Sequence, residues 1–407
     1  MYEWDVKHSF FMLMVSYAIM KIFEREKQHI IVFVVLYAYQ SVIHVEIMIR
    51  SYGDWGAEIT AFTMNLVWRL ISLAMCFRDG YWESDNENEH RISKLPPFYK
   101  VLVYTFNVPS CIASPFYEYK DFEDWIELKG HYEQIPNPLN SGLKRFATGL
   151  CWMVVVVVIG GTFNIPALVS DDFCHMSLAM QSLYQFWTVW AIKYAYYIVW
   201  WFVDTGMILS GLAYDGTDQG VVKYDRYTNV KEAEVELGWY VKKMVYSWNI
   251  TIQYWMKKYV YMRIVSKGEE APIWKFFVVF LISAFWHGFY PWYYFFFSYT
   301  GIYLFLSGDV KHSYSYYLNW MPKYVQIALA YFFTTWINLY IGSSFMMFHP
   351  SDIIYHYNCQ YWYGHILLGT VFILSLAPLG KSLRENVKRQ IKASKKEPDE
   401  IKIKKDQ

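Results

Sequence analysis

Residues 276–308 read FFVVFLISAFWHGFYPWYYFFFSYTGIYLFLSG, which is 33 residues without Asp, Glu, Lys or Arg. A bilayer core needs about 20 mostly apolar residues per helix. This stretch is long enough for a bent helix or a re-entrant pair, and Pro291 sits inside it. Five further uncharged runs follow the same logic: 28–45, 146–170, 173–192, 324–351 and 353–380. Weaker candidates are 8–22, 59–77 (broken by Arg69), 101–117 and 194–214 (broken by Asp204). Six such runs in 407 residues leave a soluble protein too little polar surface to cover them. The expected class is therefore an all-α, polytopic membrane protein with roughly nine to eleven transmembrane or re-entrant helices.

Composition agrees. The chain is 55% hydrophobic, 18% charged and 21% aromatic, whereas a typical soluble chain is about 45–50% apolar and about 25% charged. A net charge of +1 gives no bulk attraction for nucleic acid. The five cysteines (76, 111, 151, 174 and 359) are scattered, odd in number and without a CxxC pair. That argues against a disulfide framework and against a cysteine zinc site. No His/Asp/Glu cluster has metal-like spacing, so no metal is expected.

Polar segments at 78–94, 117–145 and 215–243 separate the runs, and no internal repeat is visible. The acidic start Met1-Tyr-Glu-Trp-Asp5 and the lack of a cleavage pattern predict a first span that stays as an anchor. Residues 1–380 are expected to form one membrane-embedded domain. Residues 381–407 form a tail with ten Lys/Arg against five Asp/Glu. By the positive-inside rule that tail is cytoplasmic. It ends Lys404-Lys405-Asp406-Gln407. This resembles the dilysine retrieval signal, read by a coat protein, of endoplasmic reticulum membrane proteins.

Two places stand out for chemistry. His287 lies in the middle of the longest uncharged run, within Ser283-Ala-Phe-Trp-His287-Gly-Phe-Tyr-Pro-Trp292-Tyr-Tyr. An ionisable group at membrane depth costs a few kcal/mol, which makes it a functional candidate. Imidazole also titrates near neutral pH, as a general base requires. The bland reading is a histidine bonded to a neighbouring helix, and His29, His44, His356 and His365 also lie near or inside apolar runs. The second place is Tyr246-Ser-Trp248-Asn249-Ile-Thr-Ile-Gln253-Tyr-Trp-Met-Lys257-Lys258, followed by Arg263. Spacing by four predicts Asn249, Gln253 and Lys257 on one helical face, suited to a carbonyl and then an anion. The rival reading is an interfacial helix with an aromatic belt and snorkelling lysines. Asn249-Ile-Thr251 is also the only glycosylation sequon, in a context too apolar for an exposed loop.

Trp248-Asn249, followed 38 residues later by Trp286-His287-Gly288, resembles the Asn and His pair of the membrane-bound O-acyltransferase family. Ser114-Pro-Phe-Tyr-Glu-Tyr-Lys-Asp-Phe-Glu-Asp-Trp125 is similar to that family's GPF-x-x-Y-x-x-(Y/F)-x-x-W segment, and residues 225–230 resemble the stretch preceding its Asn helix. The likeness spans roughly residues 55–380, and 116–125 with 248–255 look most like the lysophosphatidylinositol acyltransferase branch. The resemblance implies transfer of a polyunsaturated acyl chain, such as arachidonoyl, from acyl-CoA to a lysophospholipid, with no cofactor beyond that co-substrate. It implies His287 as the base and Asn249 as the amide that holds the carbonyl or oxyanion. Trp248, Gln253, Trp286 and Trp292 are then candidate substrate contacts, and Lys257, Lys258 and Arg263 candidate contacts to CoA. Two positions depart from the family pattern. Ser114 stands where it has Gly, and so does Trp292, which is expected to narrow the acceptor channel.

Three other readings stand beside this one. Phosphatidylcholine, -ethanolamine or -serine precursors would serve as acceptors in the same fold. A lumenal peptide acceptor is a further possibility, which the segment around Pro115 disfavours. A transporter would line its path with Arg69, Lys193 and Asp204. An acyl-enzyme on Ser283, one helical turn before His287, is the least favoured route.

Overall fold

The structure, a computed structural model, describes residues 5–53, 59–81, 88–107, 109, 113–266, 273–317 and 320–377, with 382, 385, 386 and 389 in the tail. Lys404 and Lys405 lie outside the described residues. The fold is all-α. Among the described residues its only sheet is a hairpin, Thr217–Asp218 against Val221–Val222. Gln219 and Gly220 close that hairpin, both at positive φ, as a two-residue turn requires.

Four described helices are long and apolar enough to cross a membrane: Gln28–Arg50, Ile59–Asp79, Leu139–Leu168 with its short break, and Lys323–Gly342. The apolar helices Trp274–His287 and Tyr363–Leu376 are shorter. Not every uncharged run meets that measure among the described residues. The helices Leu178–Leu209 and Pro291–Tyr317 are long enough but rich in Tyr and Trp. Their amphipathic rings favour the membrane interface and dilute hydropathy.

The chain packs as two compact units. The first holds residues 1–164, 187–231 and 248–294. Its centre is three helices, α1 (Val6–Ile22), α2 (Gln28–Arg50) and α3 (Ile59–Asp79). From Leu66 to Phe77 every residue of α3 is buried, which is why it is apolar all round rather than on one stripe. The last carbonyls of α3 have no helical partner. Arg25 supplies one, donating from Nε to Phe77 O at 2.6 Å and from its other nitrogens to Ile92 O and Ser93 O.

Two charges offered above as a permeation path are structural. Arg69, 2% exposed, donates to the carbonyls of Tyr104 and Thr105 and to Ser114 Oγ, and lies 4.7 Å from the Tyr117 ring. Asp204 pairs with Arg145 at 3.5 Å.

The second unit holds residues 165–186, 232–247 and 295–407. It contains a correction to the cysteine reading: Cys174 and Cys359 form a disulfide across 185 residues. A single bridge of that span leaves no spacing signal. Beside it, His356 Nδ1 bonds Leu168 O, while His356 Nε2 lies 3.0 Å from Gln185 and 3.1 Å from Ser343 Oγ. These buried polar groups satisfy one another, as an apolar interior demands.

Candidate active site

Asn249 is not on a helical face. It sits in the left-handed region, φ +49°, and immediately precedes helix Ile250–Trp255. Asn tolerates that conformation better than most residues because its short amide bonds locally. A π-helical turn, Met256–Tyr261, follows and shifts the angular position of Lys257, which is exposed. Gln253 turns its amide back to the Trp248 carbonyl. The expected row of Asn249, Gln253 and Lys257 is therefore broken, and Gln253 braces the turn instead.

The turn is pinned from three sides. Trp248 bridges Val230 in a short antiparallel contact. Its ring lies 5.0 to 5.8 Å from those of Trp200, Tyr197 and Tyr196. Asn229 accepts Ile250 N on its carbonyl at 2.9 Å and Thr251 Oγ1–H on its side chain at 2.8 Å. Thr251 Oγ1 in turn accepts Phe116 N at 2.9 Å. Thus the Ser114–Trp125 segment and the 225–230 stretch both serve the Asn249 turn. Thr251, the third residue of the sequon, is 8% exposed.

His287 is the last residue of helix Ile273–His287. Gly288 leaves the helix at φ +116°, a conformation that favours glycine. The imidazole lies 4.7 Å from the Trp286 ring and 5.3 Å from that of Tyr293. Ser283 shares the helix one turn earlier.

Both turns are anchored on α3. Trp255, six residues after Asn249, donates from Nε1 to Trp68 O at 3.0 Å, with the rings 4.1 Å apart. Trp286, next to His287, donates from Nε1 to Met64 O at 3.0 Å and lies 4.6 Å from the same Trp68 ring. One tryptophan on a buried helix thus carries the Asn249 helix on one side and the His287 helix on the other. Met64 and Trp68 were invisible to motif reading because they fit an ordinary apolar pattern, whereas Asn229 lies in the 225–230 stretch already singled out. Trp292 follows the His287 turn and is buried.

Two of the three cations expected to meet CoA, Lys258 and Arg263, are held internally. Lys258 Nζ is 2.8 Å from Glu118 and 2.9 Å from both His90 Nδ1 and Tyr254 Oη. Burial pulls the ammonium down, but Glu118 outweighs it and pushes it up to about 12. Arg263 makes a two-pronged pair with Asp79, one arm at 2.9 Å. Asp121, on helix Tyr119–Ile126, extends this mesh to His90, Arg226 and Tyr227. Burial raises its pKa, but those partners hold it at about 2. Among the described residues no group of three or more His, Cys, Asp or Glu is placed to hold a metal ion.

The family model described as MBOAT, membrane-bound O-acyltransferase family, matches residues 3–349. Lysophospholipid acyltransferase 1 of Arabidopsis thaliana is 25% identical over 92% of this chain and 84% of its own length. Membrane-bound glycerophospholipid O-acyltransferase 1 of Homo sapiens is 27% identical, over 94% and 81%. Lysophospholipid acyltransferase of Saccharomyces cerevisiae is 26% identical, over 86% of this chain but only 61% of its own. With a family match over most of its length and an asparagine turn and a histidine turn braced on one buried helix, this chain belongs to the membrane-bound O-acyltransferase family and is a polytopic membrane acyltransferase.

Proposed function

We propose that this enzyme moves an acyl chain from acyl-CoA to the free hydroxyl of a lysophospholipid, with lysophosphatidylinositol preferred and a polyunsaturated donor. The observation that carries the reading is the shared anchorage of the Trp248-Asn249 and Trp286-His287 turns on Trp68. The His287 imidazole takes the acceptor hydroxyl's proton as its oxygen attacks the thioester carbonyl. The carbon–sulfur bond breaks, the proton passes to the leaving thiolate, and the products are a phospholipid and free CoA. Asn249 donates its amide N–H groups to the carbonyl oxygen as negative charge develops there, adding no charge of its own. No acyl-enzyme is needed, since both substrates meet in one complex, and helices exclude bulk water from the thioester.

Lys257 is the cation in this stretch suited to the CoA phosphates, because it is exposed while Lys258 and Arg263 neutralise Glu118 and Asp79. Trp286 and Trp292 are assigned to the acceptor channel. The inositol preference rests on the likeness of residues 116–125 and 248–255 to that branch. An inositol ring needs hydrogen-bonding partners, where choline needs an aromatic cage. The relatives' names specify no head group, so choline, ethanolamine or serine lysolipids are the second reading. We assign the enzyme to the endoplasmic reticulum, with Lys404 and Lys405 as a cytoplasmic retrieval signal. Loss of that residence in the Lys404→Ser, Lys405→Ser protein is the check.

The purified enzyme, offered equal surface concentrations of the four lysolipids with a panel of acyl-CoA species, is expected to release CoA fastest with lysophosphatidylinositol. Equal or faster use of lysophosphatidylcholine moves the reading to the broader acceptor range. Absence of lysolipid-dependent CoA release overturns it.

A further inference from the structure

We propose that His44 is a positioning residue for the reaction: its imidazole, on α2, fixes the backbone from which His287 works. The proposal rests on the acyl-transfer reading above, with His287 as the base. His44 is 7% exposed and sits within a span, where an imidazole is expensive unless it is bonded. Its Nε2 lies 3.0 Å from Trp286 O, across 242 residues of sequence. A carbonyl only accepts, so Nε2 carries the hydrogen and donates it.

The location of that bond gives it its meaning. Trp286 O is one of the last carbonyls of helix Ile273–His287, which lack a helical partner. It also belongs to the peptide plane whose other edge is the His287 N–H. Because that plane is rigid, holding the oxygen fixes how the chain enters His287 and so where its side chain points. The Trp286 indole is tied separately to Met64 O. The residue before the base is therefore held at its backbone by α2 and at its side chain by α3.

Gly288 completes the arrangement from the other side. A Cβ at position 288 would meet His44 Nδ1 at 3.2 Å and Cγ at 3.3 Å, in a backbone conformation already at φ +116°. The His44 ring thus lies against the glycine that follows His287 while bonding the carbonyl that precedes it. The Gln40 amide nitrogen lies 3.1 Å from the same Nε2, one turn earlier on α2; two donors cannot share that line, so with Nε2 donating to Trp286 O the Gln40 amide turns its otherwise unpartnered oxygen to the ring. Nothing in the motif carrying His287 reveals this partner.

The test compares His44→Leu, which removes the donor, with His44→Gln, which keeps an N–H able to reach Trp286 O. Both are purified, checked for monodisperse elution, and assayed for lysolipid-dependent CoA release. Misplacing a catalytic group by about 1 Å costs up to ~10²-fold, so His44→Leu is expected to lose about 10–100-fold in kcat with KM values within about twofold. His44→Gln is expected to recover a third or more of kcat. Wild-type kcat in His44→Leu, a loss confined to KM, or a His44→Gln protein as slow as His44→Leu overturns the proposal.

A second measurement on the wild-type protein needs no variant of uncertain folding beyond one used for assignment. In enzyme labelled with 15N-histidine in nanodiscs, the ring signal lost in His44→Gln must belong to an Nε2–H tautomer. An Nδ1–H tautomer overturns the proposal. Wild-type enzyme that releases no CoA, or an active His287→Ala protein, overturns the parent reading instead. The tautomer experiment uses no substrate and still decides the hydrogen bond.

Discussion

Asn249 and His287 stand at opposite ends of their helices, and the two turns are built from different materials. Asn249 precedes a helix and itself takes the left-handed conformation. His287 ends a helix and leaves the positive φ to Gly288. The Asn249 turn is held by a mesh of neutral polar groups, namely Asn229, Thr251, Gln253 and the Phe116 amide. The His287 turn is held at its backbone by His44, through the Trp286 indole on Met64 O, and against aromatic rings. The difference tracks the work assigned to each group. An amide that stabilises charge must be aimed, so its surroundings are rigid and hydrogen-bonded. A base must stay uncharged until it takes a proton, so apolar rings suit it.

That contrast makes its boldest demand at His287. Replacement by Ala is expected to lower CoA release by roughly 10²–10⁴-fold, with insertion and expression preserved. An active His287→Ala enzyme would reduce the aromatic turn to packing. The Asn249 turn is sharpened by three substitutions. Asn249→Gly keeps the left-handed backbone and loses the amide, Asn249→Ala loses both, and Asn249→Asp exchanges the donor for a negative charge. Loss of an oxyanion donor costs about 10²–10³-fold, so all three should fall that far, with Asp at least as low as Ala. If Asn249→Gly alone kept most of the activity, the asparagine would be there for its backbone.

Thr251 tests the polar mesh itself. Thr251→Val strands the buried Phe116 N–H, which costs about 1–3 kcal/mol. Thermal unfolding should occur at a visibly lower temperature, and Thr251→Ser should restore it. An unshifted Thr251→Val protein would mean that the mesh does not hold the turn. The smallest effect concerns the charged groups around Asp121. Its folded pKa of about 2 lies below the ordinary carboxylate range. Its stabilisation is therefore complete above about pH 4 and fades as pH falls towards 2. Acid titration of thermal stability should show this loss, and Asp121→Asn should flatten part of it. An identical acid profile in Asp121→Asn would remove Asp121 from the account.

Membrane class, the Asn249 and His287 positions and the segments that serve them were all readable from uncharged runs and short motifs. The partners of those residues were not. His44 acts across 242 residues, Lys258 finds Glu118 across 140, and Cys174 joins Cys359 across 185. Each pairing is chosen by how helices pack, which no local spacing encodes. Lys258 and Arg263 show what such pairings add. Beside the Asn249 motif they read as anion-binding residues, and the structure pairs both with carboxylates on other elements. The helical-face reading of Asn249, Gln253 and Lys257 failed for a related reason. Periodicity assumes a regular helix, and this stretch begins with a left-handed residue and contains a π-turn.

The central claim is that the two turns, braced on Trp68, form one catalytic site. A double-mutant cycle on CoA release tests it most directly. Groups that act as a unit are strongly non-additive. The His287→Ala, Asn249→Ala enzyme is therefore expected to be no slower than the slower single variant. Losses that multiply, so that the double variant falls by the product of the two single effects, would contradict the account and leave Asn249 and His287 working apart.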